Sequence, residues 1–335
     1  MGGPQTVAPK TVAPKTVAPK TGRVVSIGEC MVELARGSDG RFGQAFGGDT
    51  FNTAVYLARC GVDVAYATAL GDDPYSTGII EMARSEGVAT DLISIASGRM
   101  PGLYLIETTA RGERTFHYWR DRSPAREVLD GPDAARIADA IAAARLVVFS
   151  GITLSLYRPA SLDRFAEALT RARAAGACIA MDGNYRPRGW GGDAARARAV
   201  LERFWRLADI ALPTFDDEAM LWGDATPAVT AARLGRLGVG EVVVKHGAEG
   251  ATCHLDGRTV VVPVPEPVVA VDTSAAGDSF NGAYLAARLG SANIEAAALV
   301  GHRMAGIVIQ HRGAIAPTDA TRAVATAMRS NGRSG

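Results

Sequence analysis

The sequence predicts an α/β protein, with a mostly parallel central sheet and helices packed on both faces. Three observations predict it. From Arg23 onward, short apolar, β-branched runs alternate with Ala/Arg-rich stretches of helical period. That is the pattern of strands buried on both faces and joined by helical crossovers. Gly28, Gly151, Asp182–Asn184, Thr214–Asp217 and Lys245–Gly247 all follow predicted strands, where ligands of such folds bind, beyond the carboxyl ends of the strands. Finally, 335 residues with 47% hydrophobic content suffice to bury a large core.

In chain order, Met1–Thr21 contains Thr-Val-Ala-Pro-Lys three times. Proline at a fixed period without an apolar face describes an extended, solvated segment. Residues 1–21 are therefore expected to be a disordered tail or an expression extension, preceding one domain over 22–330. Strands are predicted at Val24–Gly28, Val64–Leu70, Leu146–Ser150, Cys178–Asp182, Ile210–Pro213 and Glu241–Lys245. Helices are predicted at Asp133–Arg145, Ser161–Ala175 and Ala194–Ala208. Glu33–Phe46 and Met100–Arg120 break the alternation, being strand-like without a helical stretch. Asp256-Gly257 reads as a hairpin turn joining two short strands.

Composition narrows the function classes. A net charge of +1 implies no polyanionic partner such as nucleic acid. No apolar run reaches membrane-spanning length, and the N-terminus lacks the apolar core of a signal peptide. Cys30, Cys60, Cys178 and Cys253 form no metal-binding spacing, so reduced, buried thiols in a cytoplasmic protein are expected. There is no G-x-x-x-x-G-K-[ST] string. Gly235, Gly238 and Gly240 precede a strand, the wrong order for a dinucleotide fingerprint.

The most informative stretch is Asp272-Thr273-Ser274-Ala275-Ala276-Gly277-Asp278-Ser279-Phe280. The β-branched run Val268–Val271 leads in, and Phe280, Ala283, Tyr284 and Ala287 lead out at helical spacing. Small residues thus sit at a helix N-terminus, where unpaired N–H groups and the macrodipole favour an anion. Asp278 lies beside that anion site. A backbone that holds phosphate charge and a carboxylate that accepts a hydroxyl proton suit phosphoryl transfer. Local chemistry alone also allows a simple capped helix.

This stretch resembles the D-T-x-[GA]-A-G-D signature of the ribokinase (phosphofructokinase-B) family of carbohydrate kinases. Further strings match in order: Gly28-Glu29-Cys30-Met31, Phe46-Gly47-Gly48-Asp49-Thr50-Phe51-Asn52, Pro101-Gly102-Leu103-Tyr104, Gly112-Glu113-Arg114-Thr115-Phe116-His117-Tyr118-Trp119-Arg120, Asn184-Tyr185-Arg186-Pro187-Arg188 and Arg312-Gly313-Ala314. The resemblance implies a ribokinase-like three-layer α/β/α fold, with a small β-sheet lid from about 33–46 and 100–120. It also implies ATP-dependent phosphorylation of a keto-deoxy sugar acid, 2-keto-3-deoxygluconate, at its terminal C6 hydroxyl. Asp278 would be the base, and the N–H groups of Ala275, Ala276, Gly277 and Asp278 the anion hole.

For the sugar, the resemblance points to Gly47, Gly48 and Asn52, and to Tyr104, Tyr118, Arg120 and Arg186. Arginine matches a carboxylate bidentately, and tyrosine offers an apolar face with a hydroxyl. Trp119 alternates to the other strand face and reads as structural; Arg188 reads as a surface charge. For ATP the resemblance points to Asn184, Lys245, Gly247, Gly250 and His302. Thr214-Phe215-Asp216-Asp217-Glu218 occupies the place of the family's N-x-x-E motif. Its first position departs from that motif, so Asp217 or Glu218 is expected to organise hydrated Mg²⁺. K⁺ near the signature loop follows from family analogy only, and a homo-oligomer is left open. Two rivals remain: a kinase for another sugar such as fructose, and a catalytically silent sugar-binding regulator.

Overall fold

The computed structural model describes residues 21–37, 39–108 and 114–331. Nearly all of the tail, and Gly112-Glu113 of the motif string, lie outside them. The described strands are β1 Val24–Ile27, β2 Met31–Arg36, β3 Phe42–Gly47, β4 Val64–Leu70, β5 Ile93–Ile95, β6 Leu103–Thr108 and β7 Arg114–Trp119. They continue with β8 Leu146–Ser150, β9 Cys178–Asp182, β10 Ile210–Ala211, β11 Glu241–Lys245, β12 Ala251–Leu255 and β13 Arg258–Val262. Nine form the central sheet in the order β13-β12-β11-β10-β9-β8-β1-β4-β5. Every pairing from β5 to β11 is parallel, and β12 and β13 add antiparallel pairings at one edge.

Strand alternation builds the two cores. Val25, Ile27, Ala65 and Ala67 point into one apolar cluster with Phe149, Phe165 and Trp205. Val24, Val64 and Tyr66 point into the other with Phe51, Tyr56 and Tyr284. Period 2 on strands buried on both faces produces this division. Asp256 and Gly257 both take positive φ, 52° and 76°, as a two-residue hairpin of matched twist requires.

One local expectation changes, and one β-branched run forms no strand. The strand expected to reach Pro213 stops in the ladder at Ala211; proline has no N–H to donate. Val268–Val271 is irregular and exposed, Val269 by 89%. Pro263, Pro265 and Pro267 deny the approach to it three donors. The chain is recaptured only where Val271 and Asp272 donate their N–H groups to the Ile309 carbonyl at 2.8 and 3.0 Å.

The lid is a separate sheet in the order β3-β2-β6-β7, with β2 and β6 parallel and the outer pairs antiparallel. It is rooted where β1 passes into β2 and where β3 passes into helix Asp49–Arg59. At that second root a Cβ on Gly48 would lie 2.0 Å from the Glu29 carbonyl oxygen, whereas one on Gly47 would lie 3.2 Å from the Tyr104 hydroxyl. Gly48→Ala is therefore expected to lower unfolding stability by about 1–3 kcal/mol, the range for forced overpacking. Gly47→Ala should cost less, because a hydroxyl can give way. Urea denaturation of the two variants checks the order.

Candidate active site

The site lies beyond the carboxyl ends of β8, β9, β10 and β11. A cavity of about 340 Å³ is lined by Asp49, Phe116, Ile152, Asp182, Asn184, Arg186, Thr214 and Thr273–Asp278. One wall is the signature loop. Asp272 shapes it, accepting hydrogen bonds from the N–H groups of Ser274 at 2.8 Å and Gly313 at 3.0 Å. Ala275 takes a left-handed conformation, φ 54°, just before helix Ala276–Leu289, which costs a side-chain-bearing residue about 1–2 kcal/mol. That turn sets Gly277 and Asp278 in the first helical turn, whose N–H groups have no intrahelical acceptors.

Behind the loop lies a polar cluster. Lys245 Nζ donates to Asp182 Oδ2 at 2.7 Å and to Asn281 Oδ1 at 2.9 Å. Asn281 Nδ2 donates to the same Asp182 oxygen at 2.6 Å. Asn184, at φ 33°, donates from Nδ2 to Asp49 Oδ2 at 2.7 Å. Asn52 Nδ2 donates to Asp278 Oδ2 at 2.8 Å. Three carboxylates, Asp49, Asp182 and Asp278, therefore share one neighbourhood with one lysine.

The surroundings of Asp278 oppose its ionisation. Removal from bulk water, then repulsion from Asp49, push its pKa up to about 7, with Asp182 adding to the rise. The Asn52 hydrogen bond and Lys245 pull the other way. A helix N-terminus contributes at most a couple of kcal/mol toward the anion, and here burial and like charge outweigh it. If Asp278 is the base, kcat/KM should rise through an ionisation near pH 7. Asn52→Ala removes a group that lowers this pKa, so the acid limb should move to higher pH. A pH–rate profile of the variant tests the direction.

Beside Asn52 stands a second cluster, of which only Phe116 belongs to the lining of that cavity. The Tyr104 hydroxyl donates to Glu33 Oε2, and its ring lies 5.9 Å from that of Tyr118. Phe116 stacks on Tyr118 at 6.3 Å. Arg120 forms an ion pair with buried Glu29 and lies 5.9 Å from the Tyr118 ring. Arg186, by contrast, lines the cavity; its Nη1 donates to both Asp217 oxygens, at 2.8 and 2.9 Å.

Several expected site residues have other surroundings. Glu218 is buried, 1% exposed, and paired with Arg233 at 2.5 Å, so it does not reach the cavity. Burial raises its pKa to about 7 despite that arginine. Asp217 is occupied by Arg186. Lys245 lies beneath the loop rather than on its open side, with a Cβ on Gly277 falling 3.4 Å from Nζ. His302 is buried between Phe280, 5.1 Å away, and the Val262 carbonyl, 3.1 Å from Nε2; burial lowers its pKa. Its position is that of a packing residue.

Gly250 is demanded by the fold itself, since a Cβ there would meet the Val262 carbonyl at 2.3 Å; Gly247 sits at φ 51° in the same turn. Trp119 is 61% exposed and so supports no core. Arg188 is no free surface charge, because it reaches the lid. Cys178 is only partly buried, unlike the other three cysteines. Sequence reasoning missed Asp49, Asp182, Asn281 and Phe116. Asn281 carried a signal, lying three residues after Asp278 on one helix face.

Comparison with known proteins places this geometry among relatives. A family model described as pfkB family carbohydrate kinase matches residues 21–321. The chain is 42% identical over 309 residues to 2-dehydro-3-deoxygluconokinase of Dickeya dadantii (strain 3937), covering 90% of this chain and 98% of the relative. It is 41% identical over 307 residues to the protein of that name from Escherichia coli (strain K12), covering 89% and 98%. It is also 29% identical over 266 residues to a fructokinase of Klebsiella pneumoniae, covering 79% and 84%. Among solved structures, a PfkB protein from Polaromonas sp. JS666 matches with a TM-score of 0.79 at 25% identity, covering 92% of this chain and all of that one. A fructokinase with bound ATP from Xylella fastidiosa shares the fold, with a TM-score of 0.76 at 21% identity over 93% and 99%.

Proposed function

Because this chain belongs to the pfkB family of carbohydrate kinases, we propose that it phosphorylates 2-keto-3-deoxy-D-gluconate with ATP, giving 2-keto-3-deoxy-6-phosphogluconate. The observation that carries this reading is Asp278 in the first turn of a helix entered through a small-residue loop, facing a cavity that also holds Arg186. The relatives named 2-dehydro-3-deoxygluconokinase support the substrate; the fructokinases are more distant.

In this reading the sugar acid lies between Arg186, Asn52 and the lid aromatics, with its terminal hydroxyl at Asp278. The hydroxyl proton passes to the Asp278 carboxylate while the oxygen forms its bond to the γ-phosphorus and the bond to the ADP oxygen breaks. The N–H groups of Gly277 and Asp278 receive the charge of the transferring group, whereas that of Ala276, expected to join them, donates to the Thr273 carbonyl at 3.3 Å. Lys245, held behind Gly277, adds positive potential there. Asn184 lines the route by which the triphosphate would enter. Gly247, Gly250 and His302 shape the nucleotide side through the backbone and packing rather than through a charged contact.

The residues present fit Mg²⁺ carried in by phosphates. Among the described residues no group of three His, Cys, Asp or Glu could hold a metal ion, and Mg²⁺ needs few protein carboxylates. Mutual repulsion between Asp49, Asp182 and Asp278 is what a nearby cation would relieve, so Asp49 and Asp182 join Asp217 as acids that would hold it through water, whereas Glu218 is buried against Arg233. When bound, Mg²⁺ would neutralise phosphate charge. K⁺ rests on the family analogy alone.

An ATP-turnover screen over keto-deoxy sugar acids and neutral sugars tests the proposal. Turnover of 2-keto-3-deoxygluconate well above fructose is expected. Preference for a neutral sugar would overturn the substrate assignment, and no turnover of any sugar would favour the silent regulator.

A further inference from the structure

We propose that Arg188 is a positioning residue that latches the lid onto the body and so holds the aromatic wall over the substrate. The proposal rests on the kinase reading above and deepens it. Arg188 belongs to the short helical turn Pro187–Trp190, on the body of the protein. Its guanidinium lies 5.4 Å from the centre of the Tyr118 ring, and its Nη1 donates to the Phe116 carbonyl at 3.3 Å. Both partners sit on β7, the edge strand of the lid.

The contact has leverage. Phe116 lines the cavity, Phe116 stacks on Tyr118, and Tyr118 meets Tyr104. Arg120 holds the same ring from within the lid, at 5.9 Å, and is itself tied to Glu29 at the lid's root. Tyr118 is thus approached by one guanidinium from the lid and by another from the body. Only Arg188 makes the link depend on how the two parts sit. It does not line the cavity, whereas Arg186, two residues earlier, does. One loop therefore carries a residue for the substrate and a residue for the cover. Arginine suits the second task because its planar fork stacks and donates at once, which a lysine ammonium cannot reproduce.

The test uses the full chain with Arg188→Lys, Tyr118→Leu and the double variant. Arg188→Lys should raise KM for the sugar acid about tenfold, the effect of losing one stacked cation and one hydrogen bond. kcat and melting temperature should stay close to wild type. The double variant should lose clearly less than the sum of the two single losses, because the arginine acts mainly through that ring. A lysine variant with wild-type KM would show a plain charge effect, and additive losses would show that Arg188 works without Tyr118; either overturns the proposal.

Amide hydrogen exchange on the ligand-free proteins needs no substrate. β6 and β7 should exchange faster in Arg188→Lys, with the central sheet unchanged. Unaltered exchange there overturns the latch whatever the substrate proves to be. Failure of the wild-type protein to use the sugar acid counts against the kinase reading alone.

Discussion

Asp278→Asn is expected to lower kcat by at least ~10²-fold, the lower end for loss of a general base, with little change in melting temperature or sugar binding. A primary alcohol attacks poorly until its proton has somewhere to go, and Asp278 is the carboxylate at the start of the helix. Asparagine keeps the shape and can still accept from Asn52 Nδ2, but cannot take the proton. A purely structural role predicts the opposite result, since the helix is capped at Ala275 without a side-chain bond and Asn can keep the bond from Asn52. The variant also removes one of three crowded negative charges, so a slight gain in thermal stability is consistent with lost catalysis. Turnover and melting measured on one sample separate the readings, and near-normal turnover would remove Asp278 as the base.

Arg186→Ala should lower kcat/KM for the sugar acid ~10²-fold, the cost of a lost charge-assisted pair, with the KM for ATP little changed. The ion pair complicates this test in an informative way. All the hydrogen bonds described for Arg186 leave from Nη1, to Tyr185 and Asp217, which leaves Nε and Nη2 for an incoming carboxylate. Truncating the arginine also strands the Asp217 carboxylate, itself a cost. Asp217→Asn distinguishes the two effects, because it breaks the ion pair yet keeps the guanidinium. Recognition by Arg186 predicts that Asp217→Asn retains sugar-acid use. Equal losses in both variants, or an equal loss with a neutral sugar, would assign the effect to the ion pair.

What was legible in the sequence was local. The anion loop is one string of small residues before an amphipathic helix, and the main parallel strands announce themselves as continuous apolar runs. What was not legible depended on assembly. Asp182 meets Lys245 across 63 positions and Asn281 across 99, which no spacing reveals. Glu218 reads as a metal ligand in the sequence because charge is visible there and rotation is not. Each helical step turns the side chain by about 100°. Glu218 shares its face with Leu221, both buried, while Asp217 turns to Arg186. The apolar partner three residues on was the available clue. Arg188 illustrates the converse: a charge in a Pro/Gly loop gives no sign that a strand from another sheet lies over it.

Lys245 has a consequence for covalent chemistry. The other three lysines are Lys10, Lys15 and Lys20 of the repeat segment, so this is the sole lysine amine among the described residues. It is 7% exposed and paired with Asp182. Acylating it would strip the positive charge from beneath the anion loop and leave Asp182 without its counter-ion. Inactivation of the folded body by an amine-reactive reagent is thereby reduced to a one-residue event, whose rate reports how often that buried ion pair opens and whether nucleotide keeps it shut.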